Sequence, residues 1–327
     1  MNSSLKNKCE LFVANHNAMK KAFKWDSMYS HPLCAYLYAE KGLSLNIAEI
    51  RAARDIIKRS TGIFSNFRSI SRNIFATMLS LEASPDVKFS DIQSVYSKLK
   101  KEFFSSNYLP LAAFLIVRIG QPGDYDTVVL RAKTVYKLMK AEHPFLTTSE
   151  DCTYAALFAL SDKSQTDMVC EAESCYTILK QRFFSSNAVQ SLSHVLAVGE
   201  ERPEEKCTRV MELYELLGAR NLKYGTRYEL ATLGVLALSG VNSSIIADNI
   251  AQANEFMKTS KGFGIFGIGA KQRLMYAAML TASEYSSQAS DSMNTAALNS
   301  VTSLLIASQA AVTAAIASGS SAAVANS

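Results

Sequence analysis

A repeated pattern of about 40 residues constrains the fold of this chain more than any other feature of its sequence. The segment Phe103–Asn107, which reads Phe-Phe-Ser-Ser-Asn, recurs unchanged at Phe183–Asn187. An aromatic or aliphatic anchor recurs at steps of 40, 40, 40, 38 and 42 residues, at Ile56, Tyr96, Tyr136, Tyr176, Tyr214 and Phe256. This spacing lies in the range of HEAT and armadillo units and predicts about six to seven helical hairpins.

The two helices of each predicted hairpin differ in composition. The second helix contains small residues within an apolar run, as in Ala112–Leu115 and Ala155–Phe158. A helix that is apolar on nearly all sides is a buried helix, so we expect the second helices inside and the Lys/Glu-rich first helices outside. Alternating β-branched runs, which would indicate strands, are absent from the sequence. The predicted fold class is therefore all-α, an α-solenoid-like helical-hairpin repeat of no particular named type.

A change of composition divides the sequence into two parts. Residues 1–285 are expected to form one helical repeat domain. From residue 286 to 327, Asp291 is the only charged side chain and 12 of 42 residues are alanine. This low-complexity Ala/Ser-rich tail is predicted to be partly helical or disordered, and packing on the repeats or on another subunit is an alternative. A membrane span is disfavoured because Ser, Thr, Asn and Gln interrupt the apolar run.

The formal net charge of +5 is unevenly distributed. Residues 1–101 contain 16 Lys/Arg and 8 Asp/Glu, whereas the remainder contains 18 and 21. A basic N-terminal third could meet an acidic partner or nucleic acid, or could simply be a solvated helix face. Because no aromatic side chains are interleaved with arginines there, a specific nucleic-acid role is not expected.

The six cysteines form no Cys-x-x-Cys pair, and all lie in or next to predicted helical segments. Buried thiols in a reducing compartment explain them better than a disulfide framework. The N-terminal residues are polar and no apolar signal-peptide region follows. We therefore expect a cytoplasmic protein without a transmembrane segment.

His194 is the sharpest departure from the apolar consensus of the second helices. It stands where other units have leucine, phenylalanine or glycine, and Gln190 and Ser193 make the same helix unusually polar. Burying an imidazole is costly unless its nitrogens find partners. His194 is thus either a core histidine with a nearby partner or a binding-site residue. A Cys175–His194 nucleophile pair is a weaker alternative, since no third orienting group is evident.

A second departure is basic. Arg72, Arg227 and Arg273 each precede the small residue of a second helix by four positions. Near helix N-termini, and with Lys223, Lys271 and Gln272, they could line an anion-binding edge. Pairing with Glu229 or Glu82 for structural reasons is the alternative interpretation. The predicted binding residues are Gln190, His194, Arg227, Glu229, Lys271 and Arg273.

Motifs of known catalytic or cofactor sites are absent or out of context. Gly262–Lys271 resembles GxGxxG and a P-loop, but no strand precedes it, and the repeat assigns it to an inter-helix turn. His16, His31, His143 and His194 share no metal-ligand spacing. We therefore predict no catalytic residue, no cofactor and no metal, although enzymatic activity is not excluded.

Four segments resemble a bacterial family, Domain of Unknown Function 4003 (DUF4003). They are Ala22–Trp25, Arg182–Glu200, Lys223–Gly234 and Lys261–Arg273. The resemblance covers essentially residues 10–285 and the Ala/Ser-rich tail. It implies a bacterial, cytosolic protein and supplies no activity or catalytic residue.

Two functions follow from these patterns as hypotheses. The first is a non-enzymatic helical-repeat scaffold that binds a protein or peptide on an extended surface. The second is a small-molecule or anion-binding protein, possibly an enzyme, with a polar pocket around His194. The first predicts a long shallow surface, whereas the second predicts that His194 and at least two of the charged residues converge in one cavity. Oligomerisation through the tail is compatible with both.

Overall fold

The chain is helical throughout the part that the structure covers. A computed structural model describes residues 1–26, 28–69, 71–264 and 267–286, and no strand occurs among them. The predicted all-α class is confirmed. The predicted tail, residues 286–327, lies outside the residues whose side chains the structure describes. The α-helices are α1 Ser3–Ala22, α2 His31–Ala39, α3 Ile47–Ser60, α4 Arg72–Ser80, α5 Pro85–Glu102, α6 Leu109–Ile119, α7 Tyr125–Glu142, α8 Cys152–Ala159, α9 Gln165–Lys180, α10 Ser186–Ala197, α11 Pro203–Ala219, α12 Ala231–Ala237, α13 Ser243–Lys258 and α14 Ala270–Ser286.

Consecutive helices form pairs with an outer and an inner member. The outer helix α5 buries only Phe89, Ile92, Val95 and Leu99, which recur every three or four residues and so lie on one face. Its inner partner α6 buries every residue from Leu109 to Val117. The same contrast separates α3 from α4, α7 from α8 and α11 from α12. The second helices, which are buried over most of their length, are therefore the core of the molecule.

Neighbouring pairs are stacked side by side. The outer helices α3, α5, α7, α9, α11 and α13 contact one another in that order, and the inner helices α10, α12 and α14 do the same. Inner helices also meet at α2 with α4 and at α6 with α8. Each pair therefore covers the apolar side of the next, and the pairs share one core.

The first pair also contacts the last. Helix α1 packs against α13 and α14, and the ring of Phe12 lies 5.0 Å from the ring of Tyr276 and 5.5 Å from that of Phe263. Lys8 Nζ lies 3.1 Å from Glu284 Oε2. An open array would leave the apolar flanks of its two terminal pairs exposed to water, whereas this contact covers both. The order of pairs is thus closed on itself.

The turns from outer to inner helices are linked in series. Ring contacts join four of these turns to the next outer helix: Phe67 with Tyr96 at 5.0 Å, Phe103 with Tyr136 at 5.4 Å, His143 with Tyr176 at 4.4 Å and Phe183 with Tyr214 at 5.2 Å. In addition, Asn66 Nδ2 donates to Ser106 O of the following turn at 2.8 Å. These turns therefore lie at one end of the molecule, which we call the turn end.

Three local predictions can be compared with the described residues. The spacing Thr148-x-x-Asp151 in the sequence predicts a capping box with a short acid, and these residues form it at the entrance to α8. The six cysteines form no disulfide, and all but Cys170 are buried. Among the helices of the described ranges, none is long and apolar enough to cross a membrane.

Candidate anion-binding cleft

Gln190 and His194 lie on α10 and face the interior. The His194 ring lies 5.0 Å from the ring of Tyr154 and 5.7 Å from that of Phe158, and its Nδ1 is 3.7 Å from Asp151 Oδ1. Gln190 Nε2 donates to Thr147 Oγ1 at 3.3 Å. Burial lowers the pKa of His194 to about 3, so the imidazole is neutral at physiological pH. Both side chains are enclosed by protein groups.

The charged residues predicted to accompany His194 have separate surroundings. Arg227 and Lys271 are exposed, whereas Glu229 is buried against Gly225 and accepts a hydrogen bond from Arg227 N at 3.3 Å. The Arg273 guanidinium is buried and donates to Asn254 Oδ1 at 2.9 Å and to Phe263 O at 2.7 Å. Arg273 therefore anchors the glycine-rich turn. The structure therefore places Gln190 beside His194, and Arg227 beside Glu229. The contacts of the first two residues, of the second two and of Arg273 are all with different neighbours.

The glycine-rich segment forms a compact turn in its described residues. Ile268 N donates to Gly262 O at 3.1 Å, and Gly262 adopts a φ of 95°. A Cβ atom at Gly267 would overlap the Gly262 carbonyl group. The absence of side chains at these glycines thus allows two segments of the turn to approach closely, so the glycines serve the backbone conformation of the turn.

A cleft of about 660 Å³ opens at the turn end, between the end of α1, helix α3 and the start of α4. Six cationic and two acidic side chains contribute to its walls, together with two aromatic rings. The lining residues are Ala22, Phe23, Lys24, Trp25, Asp26, Arg51, Arg54, Asp55, Ile57, Lys58, Arg68 and Arg72. We call this site the basic cleft.

Asp26 organises one wall of the basic cleft. Its carboxylate lies 2.9 Å from Arg54 Nη1 and 2.5 Å from Arg72 Nη2. Burial alone would raise the pKa of Asp26, but the Arg54 and Arg72 guanidiniums outweigh it and hold the pKa below its usual range. Asp26 is therefore ionised at neutral pH and fixes both arginines. This explains structurally why Arg72 departs from the apolar consensus.

The remaining cations of the basic cleft have no such partner. Within the described ranges, Lys24, Arg51, Lys58 and Arg68 lie in no ion pair with a carboxylate. The Arg51 and Arg54 guanidiniums lie over the Phe23 ring at 6.0 and 5.1 Å, and Lys24 Nζ lies 5.0 Å from the Trp25 ring centroid. Aromatic faces orient cations in this way without neutralising them.

This composition is suited to binding anionic groups. Unpaired lysines and arginines bind carboxylates and phosphates through charge-assisted hydrogen bonds. Trp25 is 90% exposed and offers an apolar surface beside them. Among the described residues that line the cleft, none carries an imidazole or a thiol that could act as a nucleophile. Among the residues that the structure describes, no group of three or more His, Cys, Asp or Glu could hold a metal ion.

The sequence contained a partial signal for this cleft. Arg51, Arg54 and Lys58 are spaced by three and four residues, so they share one face of α3. Such a stripe is ordinarily a solvated face, and only the fold shows that it lies opposite Asp26 and Arg72. The excess of basic residues in the N-terminal third of the sequence includes the residues of this cleft.

Together, the fold and the cleft define an all-helical protein of stacked helix pairs with a basic cleft. The chain belongs to the family described as "Protein of unknown function (DUF4003)", whose model matches residues 15–311. The expected resemblance is thereby confirmed. A relative, "Uncharacterized protein YeaA" of Bacillus subtilis (strain 168), is 23% identical over 317 residues, covering 91% of this chain and 96% of its own length. No solved structure matches the chain.

Proposed function

We propose that the protein is a non-catalytic binding module whose basic cleft holds an acidic peptide segment of a protein partner. One observation carries the proposal: four cations without carboxylate partners surround a cleft that also presents an exposed tryptophan. A peptide matches this combination because it supplies carboxylates and apolar side chains on one strand. An inorganic anion would leave the Trp25 surface without a partner.

The helical framework around the cleft supports a binding site whose side chains are already positioned before the ligand arrives. We propose that it is a helical-hairpin repeat with a period of about 40 residues, in which each pair rests on its neighbours. Asp26 holds Arg54 and Arg72 in place before any ligand arrives, which reduces the ordering cost of binding. The free buried thiols favour operation in the reducing cytoplasm. Self-association through residues 286–327 remains part of this proposal.

Trp25 provides a direct test because it is the only tryptophan of the chain. We expect a short peptide of repeating Glu-Glu-Leu units to change the Trp25 emission in a saturable manner, and a Gln-Gln-Leu peptide to have no comparable effect. The double variant Arg51→Glu/Lys58→Glu should weaken binding by about tenfold or more, since two charge contacts of about 1 kcal/mol each are replaced by repulsion. Added salt should weaken binding in the same direction.

A matched variant controls for net charge. Lys137 and Lys223 are also exposed but do not line the cleft, so Lys137→Glu/Lys223→Glu should leave the affinity within about twofold. Equal binding of the acidic and neutral peptides would contradict the proposal. A single-stranded oligonucleotide that binds more tightly than the acidic peptide would also overturn it, in favour of a nucleic-acid partner.

A further inference from the structure

Four phenylalanine side chains project into solvent from successive turns of the turn end. Phe64, Phe104, Phe145 and Phe184 are 94%, 97%, 96% and 97% exposed. They are separated by 40, 41 and 39 residues, so each belongs to a different helix pair. Trp25 occupies the corresponding turn of the first pair. We call the four phenylalanines the aromatic rim.

The aromatic rim is distinct from the core aromatics of the same turns. Phe183 is buried against Tyr214, whereas the next residue, Phe184, has almost no protein contact. Phe103 packs on Tyr136 while Phe104 is exposed. Core packing therefore accounts for one ring of each Phe-Phe pair and leaves the other unexplained. Single exposed apolar residues are ordinary, but four at equivalent positions on one end indicate an interaction surface.

Positive charge surrounds the aromatic rim. The last turns of the outer helices α3, α5, α7 and α9 contain Lys58, Arg59, Lys100, Lys101, Lys140 and Lys180. The first turns of the outer helices α3, α5, α7, α9 and α11, at the opposite end of each helix, contain Glu49, Asp86, Asp126, Asp167, Glu204 and Glu205. The last turns of these helices are therefore basic and their first turns acidic. Arg59 forms an ion pair with Asp86 of α5, so the positive charge of the turn end comes from the five lysines.

Helix dipoles favour this distribution of charge, since cations stabilise helix C-termini. Two of the lysines also bind turn carbonyls: Lys140 Nζ donates to Thr147 O at 2.7 Å, and Lys180 Nζ donates to Phe184 O at 2.5 Å. The dipole does not explain exposed phenyl rings, however. Apolar rings among cations are the combination that binds a surface with anionic groups outside and hydrocarbon beneath.

We propose that the turn end docks on an anionic lipid bilayer, with the aromatic rim inserted among the acyl chains and the lysines facing lipid phosphates. The four rings stand on separate turns at one end, which suits an extended surface. A second copy of the chain is a poorer occupant, because a two-fold contact would bring basic end against basic end. An acidic protein would need a separate apolar pocket for each ring.

Vesicle co-sedimentation of the full chain tests this proposal. We expect binding to phosphatidylcholine vesicles that contain roughly a third phosphatidylglycerol, and much weaker binding to phosphatidylcholine alone. The variant Phe64→Ser/Phe104→Ser/Phe145→Ser/Phe184→Ser should lose at least about tenfold in vesicle affinity, since four rings no longer leave water. Its helicity and melting temperature should match those of the parent protein, because these rings are solvated in the fold.

Exposed apolar residues away from the aromatic rim supply the matched control. Val87 and Ile245 lie in the first turns of their helices and Leu130 lies on α7, so Val87→Ser/Leu130→Ser/Ile245→Ser should retain vesicle binding. The proposal is overturned if the parent protein does not sediment with anionic vesicles. Equal binding by the parent and the rim variant would also overturn it, and would assign membrane binding to another segment.

This proposal and the peptide-binding proposal can fail separately. The rim variant retains every residue that lines the basic cleft, so its response of Trp25 fluorescence to the acidic peptide should be unchanged. Loss of both activities in the rim variant, with the fold intact, would show that a single acidic protein covers the cleft and the rim. That result would replace the membrane by a protein partner.

Discussion

Replacing Glu284 by alanine should lower the free energy of unfolding by about 3–5 kcal/mol, because it leaves the Lys8 ammonium buried without its counter-charge. Lys8 and Glu284 join the first and last helices, and their side chains are only 10% and 5% exposed. Ser4 Oγ donates to the same carboxylate at 2.7 Å, so its hydrogen bond is lost as well. Denaturant unfolding monitored by circular dichroism measures the difference.

Two further variants separate ring closure from a general effect of charge. Glu10 pairs with Lys6 on the same helix at 3.8 Å, but both side chains are more than half exposed. Glu10→Ala should therefore cost less than about 1 kcal/mol. Lys8→Met/Glu284→Leu should recover most of the loss, since an apolar pair can replace a buried ion pair. If Glu284→Ala costs no more than Glu10→Ala, the closing contact contributes little to stability.

The second large effect concerns Asp151 and depends on pH. Burial raises the pKa of Asp151 to about 7, against the lowering effect of the hydrogen bond from Thr148 N at 2.7 Å. Because the folded pKa exceeds the unfolded value, the folded state binds more protons, and Asp151 reduces stability as pH rises from about 4 to 7. Asp151→Asn keeps a hydrogen-bond acceptor and removes the ionisation. Between pH 5 and pH 8, the free energy of unfolding of the variant should therefore rise by about 2–3 kcal/mol relative to that of the parent.

Unfolding free energies of parent and variant across this pH range provide the test. Asp167→Asn, which changes an exposed carboxylate in the first turn of α9, should shift stability by less than about 1 kcal/mol throughout. A pH-independent difference between Asp151→Asn and the parent would contradict the raised pKa.

The helical architecture was predictable because it depends on local patterns. Ala112 and Ala113 within an apolar run predicted an inner helix, and α6 is buried throughout. Thr148 and Asp151 predicted a helix start from their spacing alone, and the capping box is present. Such features involve residues three or four positions apart. The physical chemistry of one helical turn was enough to find them.

Closure and the cleft depend on contacts that no local pattern encodes. Phe12 packs on Tyr276 from the other end of the chain, a contact between residues too far apart in sequence for a local pattern to predict. Arg51 and Arg72 belong to the second pair, whereas their partners Phe23 and Asp26 follow the first helix of the first pair. The polarity of α10 suggested a ligand site at His194, whereas the structure gives this ring interior neighbours, Tyr154 and Phe158. In the sequence, a polar residue among apolar core positions looks the same whether it binds a ligand or packs inside the core.

Contact between α1 and α14 has a consequence for how such a chain could change length. An open row of helical hairpins gains or loses a member with effects confined to its neighbours. In a circle, removing one member opens a gap, unless every remaining angle between hairpins widens to restore contact. Duplication of one hairpin would likewise force the whole circumference to expand. The count of hairpins is therefore a property of the entire molecule, and sequences of this kind should tolerate longer turns far better than an added or missing unit.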